Sequence, residues 1–447
     1  MRVTMVKETL PDPPAAPAPG TELARDIVQR VLAGIRHPVA VALKDGTVLR
    51  ESDGPLEATI ILREPATLRL LLTRGSDLAA SEAFIRGDIE VEGSIEQVLF
   101  AMDAAAVAHN AAEWAAIALR IAKLPRVSAG AVSREPAKLR GRRHSPERDR
   151  SAIAYHYDLS NDFFGLFLDE SLGYSSAYFR SETDTVDEAQ AHKYDLVCRK
   201  LRLSEGERLL DMGCGWGGLL RFAAREYGAR VTGVTTSQRQ EQYNLARIER
   251  EGLSARCKIA VLDYRNLGEL GQFDKAASLE MAEHVGDEMM PVFFASVFDR
   301  LVPGALFLNQ NIIAYESTPS RIRVLAQQFL PQRSAFTEKY VFPDGKIPRL
   351  PLIAQAAQDA GFEVRDVENL REHYVLTLQH WIKQLEANET EARSMVGDAT
   401  YNTFRLWVGG SLYSFASGRL GVVQTLFAKW MDRARALVPP TRVDIYN

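Results

Sequence analysis

The stretch Leu209-Leu210-Asp211-Met212-Gly213-Cys214-Gly215-Trp216-Gly217-Gly218 constrains the fold of this chain more than any other. Before it, Arg208-Leu209-Leu210 reads as a short buried strand; after it, Leu219-Leu220-Arg221-Phe222-Ala223-Ala224 reads as the start of a helix. An apolar strand, a glycine-rich turn and a helix form the first half of a nucleotide-binding βαβ unit. Gly213, Gly215 and Gly217 have no side chain, so they permit positive φ and let a ligand approach the backbone. Asp211 falls at the carboxyl end of the strand, where open α/β sheets bind ligands. The spacing is not the G-x-G-x-x-G of dinucleotide enzymes.

The following residues supply the alternation that such a sheet needs. Arg230–Thr236, Lys258–Leu262, Phe273–Leu279 and Gly304–Ile313 read as four further strands, which predicts a doubly wound α/β sheet of Rossmann type. The end of the second strand is where a nucleoside ribose lies in such folds, and Thr235, Thr236 and Gln240 offer hydrogen bonds there. Tyr264, just past the third strand, is placed either to stack on an adenine or to pack. Glu280-Met281-Ala282-Glu283-His284-Val285-Gly286 opens the loop and helix after the fourth. Asp-x-Gly-x-Gly followed by Trp216-Gly217 resembles the motif of S-adenosylmethionine (SAM) methyltransferases, which implies SAM as the cofactor.

Composition narrows the classes. The net charge of −4 gives no global field for nucleic acid. Cys198, Cys214 and Cys257 form no metal-ligand spacing, so neither a metal site nor disulfides are expected, and a reducing cytoplasm fits. No apolar run approaches the ~20 residues that cross a bilayer. Membrane contact is therefore expected to be peripheral, on the inner face.

Four regions are expected. Residues 1–20 are a Pro-rich tail that builds no core. Residues 21–123 read as a small α+β domain: a helix from Glu22 to Arg36, a hairpin from Val39 to Arg50 turning at Asp45-Gly46, strands at Ala58–Leu62 and Thr67–Leu72, a helix Ser76–Arg86, a short strand within Gly87–Gly93 and a helix from Ser94 towards Ala106. Residues 124–150 are a basic linker carrying Arg126, Arg134, Lys138, Arg140, Arg142, Arg143, Arg148 and Arg150. Such a segment is either simply solvated or held against anionic headgroups. Residues 151–447 complete the α/β domain.

From about His156 to Trp430 the chain resembles the cyclopropane-fatty-acyl-phospholipid synthases and the related mycolic acid methyltransferases. The resemblance is carried by His156-Tyr157-Asp158-Leu159 with Asn161-Asp162, Tyr174-Ser175, Leu210 to Gly217, Glu283-His284-Val285-Gly286, Phe342-Pro343-Asp344-Gly345 with Ile347-Pro348, and His373-Tyr374 with Thr377-Leu378 and Trp381. It implies a Rossmann-like methyltransferase domain behind a lipid-associated N-terminal domain, with Tyr174 and Ser175 joining Asp211 and the glycines at SAM. It also implies methyl transfer to the double bond of an unsaturated phospholipid acyl chain, with a bound bicarbonate as base. That anion is held by a Cys, a Glu, a His, a Tyr and an Ile backbone group.

Glu283, Tyr374 and Ile312 match the pattern, but the cysteine is Ser176, the histidine is Gln310, and the normally small residue three before the glutamate is Glu280. These departures put bicarbonate in doubt. The economical reading is that the Glu280 carboxylate replaces the anion as base, with Glu283 as a like-charged neighbour that raises one pKa of the pair. The product expected is then a methylene-branched acyl chain, formed through a hydride shift, rather than a cyclopropane. A methylene product implies a companion reductase, and the resemblance leaves room for a homo-oligomer. Two other readings stay open at this level: a methyltransferase of a soluble small molecule, and an inactive SAM- or lipid-binding scaffold.

Overall fold

The computed structural model of the chain describes residues 20–72, 76–126, 130, 132–157, 159–315, 335–430 and 438–446. The Pro-rich stretch before Gly20, and Asp158 of the His156 motif, lie outside them. The chain divides into two compact units. One holds Met1–Arg134, Pro319–Phe336 and Asp398–Tyr413; the other holds Glu135–Thr318, Thr337–Gly397 and Ser414–Asn447. Asp398–Tyr413 thus groups with the N-terminal residues, and the second half of the expected linker groups with the larger unit.

The smaller unit is built on four strands, β1 (Val39–Leu43), β2 (Val48–Leu49), β3 (Ala58–Leu62) and β4 (Ile89–Gly93), ordered β2-β1-β3-β4. The hairpin β1–β2 is antiparallel, while β1 and β3 run parallel. Helix Thr21–Leu32 buries Ala24, Ile27, Val28 and Leu32 against Val41, Leu43 and Leu62. A second helix, Ala111–Ile121, is closed by a capping box of Asn110 and Glu113. One expectation fails: Thr67–Leu72 is not a strand. Pro65 opens a helical turn that continues as helix Leu68–Leu72. Proline's fixed φ suits a first helical position, and a Leu-rich run this short has no period that separates strand from helix.

The larger unit carries β5 (Arg208–Met212), β6 (Arg230–Thr235), β7 (Cys257–Val261), β8 (Phe273–Leu279), β9 (Leu301–Ala314), β10 (Phe362–Asn369) and β11 (Leu420–Lys429), ordered β10-β11-β9-β8-β5-β6-β7. The five strands from β9 to β7 are parallel; β11 is antiparallel to both its neighbours. Successive side chains of a strand point to opposite faces. Leu209 accordingly joins a cluster with Val197, Leu220 and Ala223, while Leu210 joins one with Phe293, Phe294 and Phe307. Both faces are covered, which is why the central strands read as unbroken apolar runs.

Helix Pro146–Tyr157 takes up part of the charge at the end of the expected linker. Arg148 Nη2 donates to Asp344 Oδ1 at 3.1 Å, and Arg265 Nη2 donates to Asp149 Oδ2 at 2.9 Å. Arg140, Arg142, Arg143 and Arg150 remain exposed.

Gly217, in left-handed conformation at φ +76°, caps helix Gly218–Glu226. A Cβ there would stand 2.0 Å from Asn244 Oδ1. Gly217→Ala should therefore destabilise the fold by about 2–4 kcal/mol, combining backbone strain with a clash. Gly252→Ala, at φ +70° with nothing within 4 Å of its Cβ, should cost only about 1 kcal/mol. Denaturant midpoints of the two variants check the difference.

Candidate active site

The carboxyl edge of β5 and β6 holds the residues expected at the cofactor. Gly213 is at φ +71° with its missing Cβ facing Met281 Sδ at 3.1 Å, whereas Gly215, at φ +52°, faces open space. Of the three glycines, Gly215 alone has open space where a Cβ would stand. Asn244 Nδ2 donates to the Gly215 carbonyl at 2.8 Å and fixes the loop. Thr235 Oγ1 donates to Gln240 Oε1 at 2.6 Å at the end of β6, beside the half-buried Thr236. Asp211 is buried, and its Oδ2 has no hydrogen-bond partner among the described residues. Burial pushes its carboxyl up to about 7, against the pull of Lys193. An orphaned buried acceptor beside an open glycine backbone fits a cofactor with a cationic amine and ribose hydroxyls, as SAM has. Tyr264 is 5% exposed, meets Phe293 edge-on at 5.7 Å and carries the Arg265 guanidinium 4.8 Å from its ring.

Tyr174 and Ser175 lie among residues of the motifs that carry the resemblance. The Tyr174 hydroxyl is 3.0 Å from His156 Nε2, and its ring stacks on Trp381 at 5.3 Å. Tyr157, Phe164 and Trp216 surround the same ring edge-on. Ser175 Oγ accepts from Lys193 Nζ at 2.7 Å. Lys193 is fully buried; burial lowers its ammonium to about 8, while Asp169, Glu280 and Asp211 pull it back up. It stays largely charged at neutral pH and serves both the cofactor side and the acid side of the site.

The acid side is organised by Glu280. It follows β8 directly and is held at φ +54°, a left-handed conformation that costs a residue with a side chain about 1–3 kcal/mol. Its amide donates to the Gln310 carbonyl at 2.7 Å. Its Oε1 accepts from the Ser176 amide and from Gln310 Nε2, each at 2.8 Å, and the carboxylate is also hydrogen-bonded to Tyr374. Burial raises the Glu280 carboxyl, and the Ser176, Gln310, Lys193 and Tyr374 interactions oppose that rise. Glu283 has less support. Its Oε1 accepts from the Ile312 amide, its Oε2 has no partner among the described residues, and burial together with the Glu280 charge raises it to about 8. Glu280 thus has several donors and Glu283 one, an inequality that favours ionisation of Glu280 over Glu283.

The structure thus brings Glu280, Glu283, Tyr374, Ser176 and Gln310 together. Ser176 contributes its backbone amide; its Oγ donates instead to the Ala177 carbonyl at 3.1 Å. The sequence reading missed Lys193, though a signal existed. It falls on the buried stripe Ala189, Gln190, Lys193, Val197 and Leu201 of helix Val186–Leu201, where an apolar residue is the rule.

The sequence model of the mycolic acid cyclopropane synthetase family matches residues 144–425, and that of a domain of unknown function matches residues 28–110. A probable fatty acid methyltransferase of Pseudomonas putida is 36% identical over 93% of this chain and 98% of its own length. Another from Mycobacterium tuberculosis is 32% identical over 93% and 96%. Among solved structures, the mycolic acid cyclopropane synthase CmaA1 complexed with SAH and CTAB superposes with a TM-score of 0.58 at 30% identity, covering 63% of this chain and 98% of that one. The cyclopropane synthase MmaA2 of Mycobacterium tuberculosis also gives 0.58, at 29% identity and with the same coverage. The chain belongs to the mycolic acid cyclopropane synthetase family and is a SAM-dependent methyltransferase, of a family that acts on lipid double bonds.

Proposed function

We propose that this enzyme methylates the double bond of an unsaturated phospholipid acyl chain, with Glu280 as the proton acceptor and a methylene-branched chain as the favoured product. The observation that carries this reading is the convergence of the Ser176 amide, Gln310 Nε2 and Tyr374 on a carboxylate fixed in a left-handed backbone conformation. Both positions that depart from the bicarbonate pattern serve that carboxylate. SAM, when bound, supplies an electrophilic methyl group: the alkene pair forms the new C–C bond, the methyl–sulfur bond breaks, and the neighbouring carbon is left cationic. Ionised Glu280 then takes a proton from the transferred methyl. If the freed electron pair joins that methyl to the cationic carbon, a cyclopropane closes. If hydride first moves from the methyl-bearing carbon to the cationic one, the same proton loss gives a methylene group. A methylene product in turn calls for a reductase to saturate it.

Glu280→Gln keeps the shape of the side chain and removes the base. It should lower turnover by about 10²–10⁴-fold with SAM affinity nearly unchanged, while added bicarbonate does little for the parent enzyme. Mass spectrometry of lipids from an expressing host reads product and rate together; full activity of Glu280→Gln or a bicarbonate requirement in the parent would falsify the assignment. In the parent, activity should fall as pH drops through the raised Glu280 pKa, because the protonated form accepts nothing.

Glu283 predicts a stability effect of defined sign. Its carboxyl titrates near 4.5 when unperturbed and at about 8 when folded. Between those values the folded state holds a proton that the unfolded state has released, so stability falls as pH rises. Glu283→Gln should flatten that slope, as measured by denaturant titrations across the interval.

No helix among the described residues is long and apolar enough to cross a membrane. In this reading the acyl chain is reached from the membrane surface, with exposed Arg140, Arg142 and Arg150, and Arg143 beside its Asp344 contact, facing anionic headgroups. Sedimentation with anionic vesicles should exceed that with neutral ones and weaken with salt. Equal sedimentation with both would remove the arginines from the mechanism.

A further inference from the structure

Behind Gln310 a chain of buried polar side chains runs away from Glu280 into the sheet. Gln424 Nε2 donates to Gln310 Oε1 at 2.9 Å, and Gln424 Oε1 accepts from Lys200 Nζ at 2.8 Å. Gln310 and Gln424 are direct cross-strand partners on β9 and β11. Both are fully buried, and Lys200 is 1% exposed. Lys200 is in turn ion-paired to Glu368 and lies 4.0 Å from Asp366. Polar groups buried this deeply are costly unless each finds a partner, and here each does.

The order of donors gives the chain a direction. A primary amide can face a neighbour with either its oxygen or its NH₂, but a lysine ammonium only donates. Lys200 therefore requires the oxygen of Gln424, which leaves Gln424 only NH₂ to offer Gln310. Gln310 must then present its oxygen to Gln424 and its NH₂ to Glu280. We propose that Lys200 and Gln424 are positioning residues that fix which atom of Gln310 faces the Glu280 carboxylate, and so hold that carboxylate in its proton-accepting form. The inference rests on Glu280 being the base for its catalytic meaning, but not for its physical content. A hydrogen bond donated to a carboxylate favours the ionised form; a carbonyl turned towards it favours the acid. Linked amides polarise one another in the same sense.

Other groups face Glu280 and are the same residues in the parent and the variants. Lys193 favours its ionised form, Glu283 opposes it when charged, and the hydroxyls of Tyr157, Tyr174 and Tyr374 lie close by. At the far end, Glu368, Asp366 and Arg442 face Lys200.

Gln424→Glu reverses the chain with almost no change of shape. Its carboxylate accepts from Lys200 as before, but it also accepts from Gln310, so Gln310 turns its oxygen to Glu280. Lys200→Gln removes the group that dictates direction and permits the same flip. The readout is the infrared carboxyl titration of Glu280 in the full-length protein, isolated as the difference from Glu280→Gln, alongside the acid limb of the pH–rate profile. Gln424→Glu should move both upward by about one to two pH units, the worth of one hydrogen bond to a charged group, with the KM for SAM unchanged. Lys200→Gln should move them the same way by less, and carries the test alone if Gln424→Glu does not fold. A carboxyl titration unmoved in the folded variants overturns the inference, even where Glu280→Gln is inactive and the base assignment stands. A titration that moves while Glu280→Gln retains full activity upholds the polar chain and removes Glu280 as base.

Discussion

A carboxylate buried beside a second carboxylate is the condition on which the rest of this site depends. Two such groups at close quarters do not both ionise without strong support. Here the support is unequal. Glu280 has the Ser176 amide, Gln310, Tyr374 and the field of Lys193; Glu283 has the Ile312 amide and little else. The inequality favours ionisation of Glu280 over Glu283. The left-handed backbone at Glu280 is held in place by the same bonds. Strain of about 1–3 kcal/mol is tolerable where several charge-assisted bonds, each worth roughly as much, oppose it.

The sheet makes this geometry reproducible. Glu280 leaves the end of β8 where its neighbour on β9 is Gln310, and Gln310 is paired across β9 to Gln424. Gln310 and Ile312, two apart on β9, serve the two carboxylates in turn, one by a side chain and the other by a backbone amide. These are interior strands flanked on both sides, so their registers cannot slip without turning polar groups into the cores on either face. A site built on strand ends of this kind holds its atoms more rigidly than one built on loops.

The parts of this arrangement visible in the sequence are those with local signatures. The Asp211 loop announces itself because strand, glycines and helix are contiguous. Glu280 stands out because it occupies a position normally small, and the left-handed backbone found there gives the reason. Other parts are hidden for physical reasons. β10 escapes a period-of-two reading because its register shifts between Val364 and Asp366, which breaks the alternation of apolar residues. Thr67–Leu72 misleads because a short apolar run has no period. Lys193 and Lys200 sit on the buried stripe of one helix, but the acids and amides they meet lie elsewhere in the chain: Asp211 and Glu280 for one, Glu368 and Gln424 for the other. Only the fold reveals those pairings.

The two lysines also explain why the site needs depth. Lys193 acts through space: one ammonium shared among Asp169, Asp211 and Glu280, with a single short bond to Ser175. Its effect is therefore spread over cofactor and acid residues alike, and it cannot tell Glu280 from its neighbours. Lys200 has its own acids in Glu368 and Asp366, which neutralise much of its field at a distance. What it passes on through Gln424 and Gln310 is orientation rather than charge, and orientation reaches only the atom at the end of the chain. A general cation sets how many protons the cluster holds; a directional one sets which carboxylate gives its proton up. Together they favour an ionised Glu280 among groups that are otherwise buried.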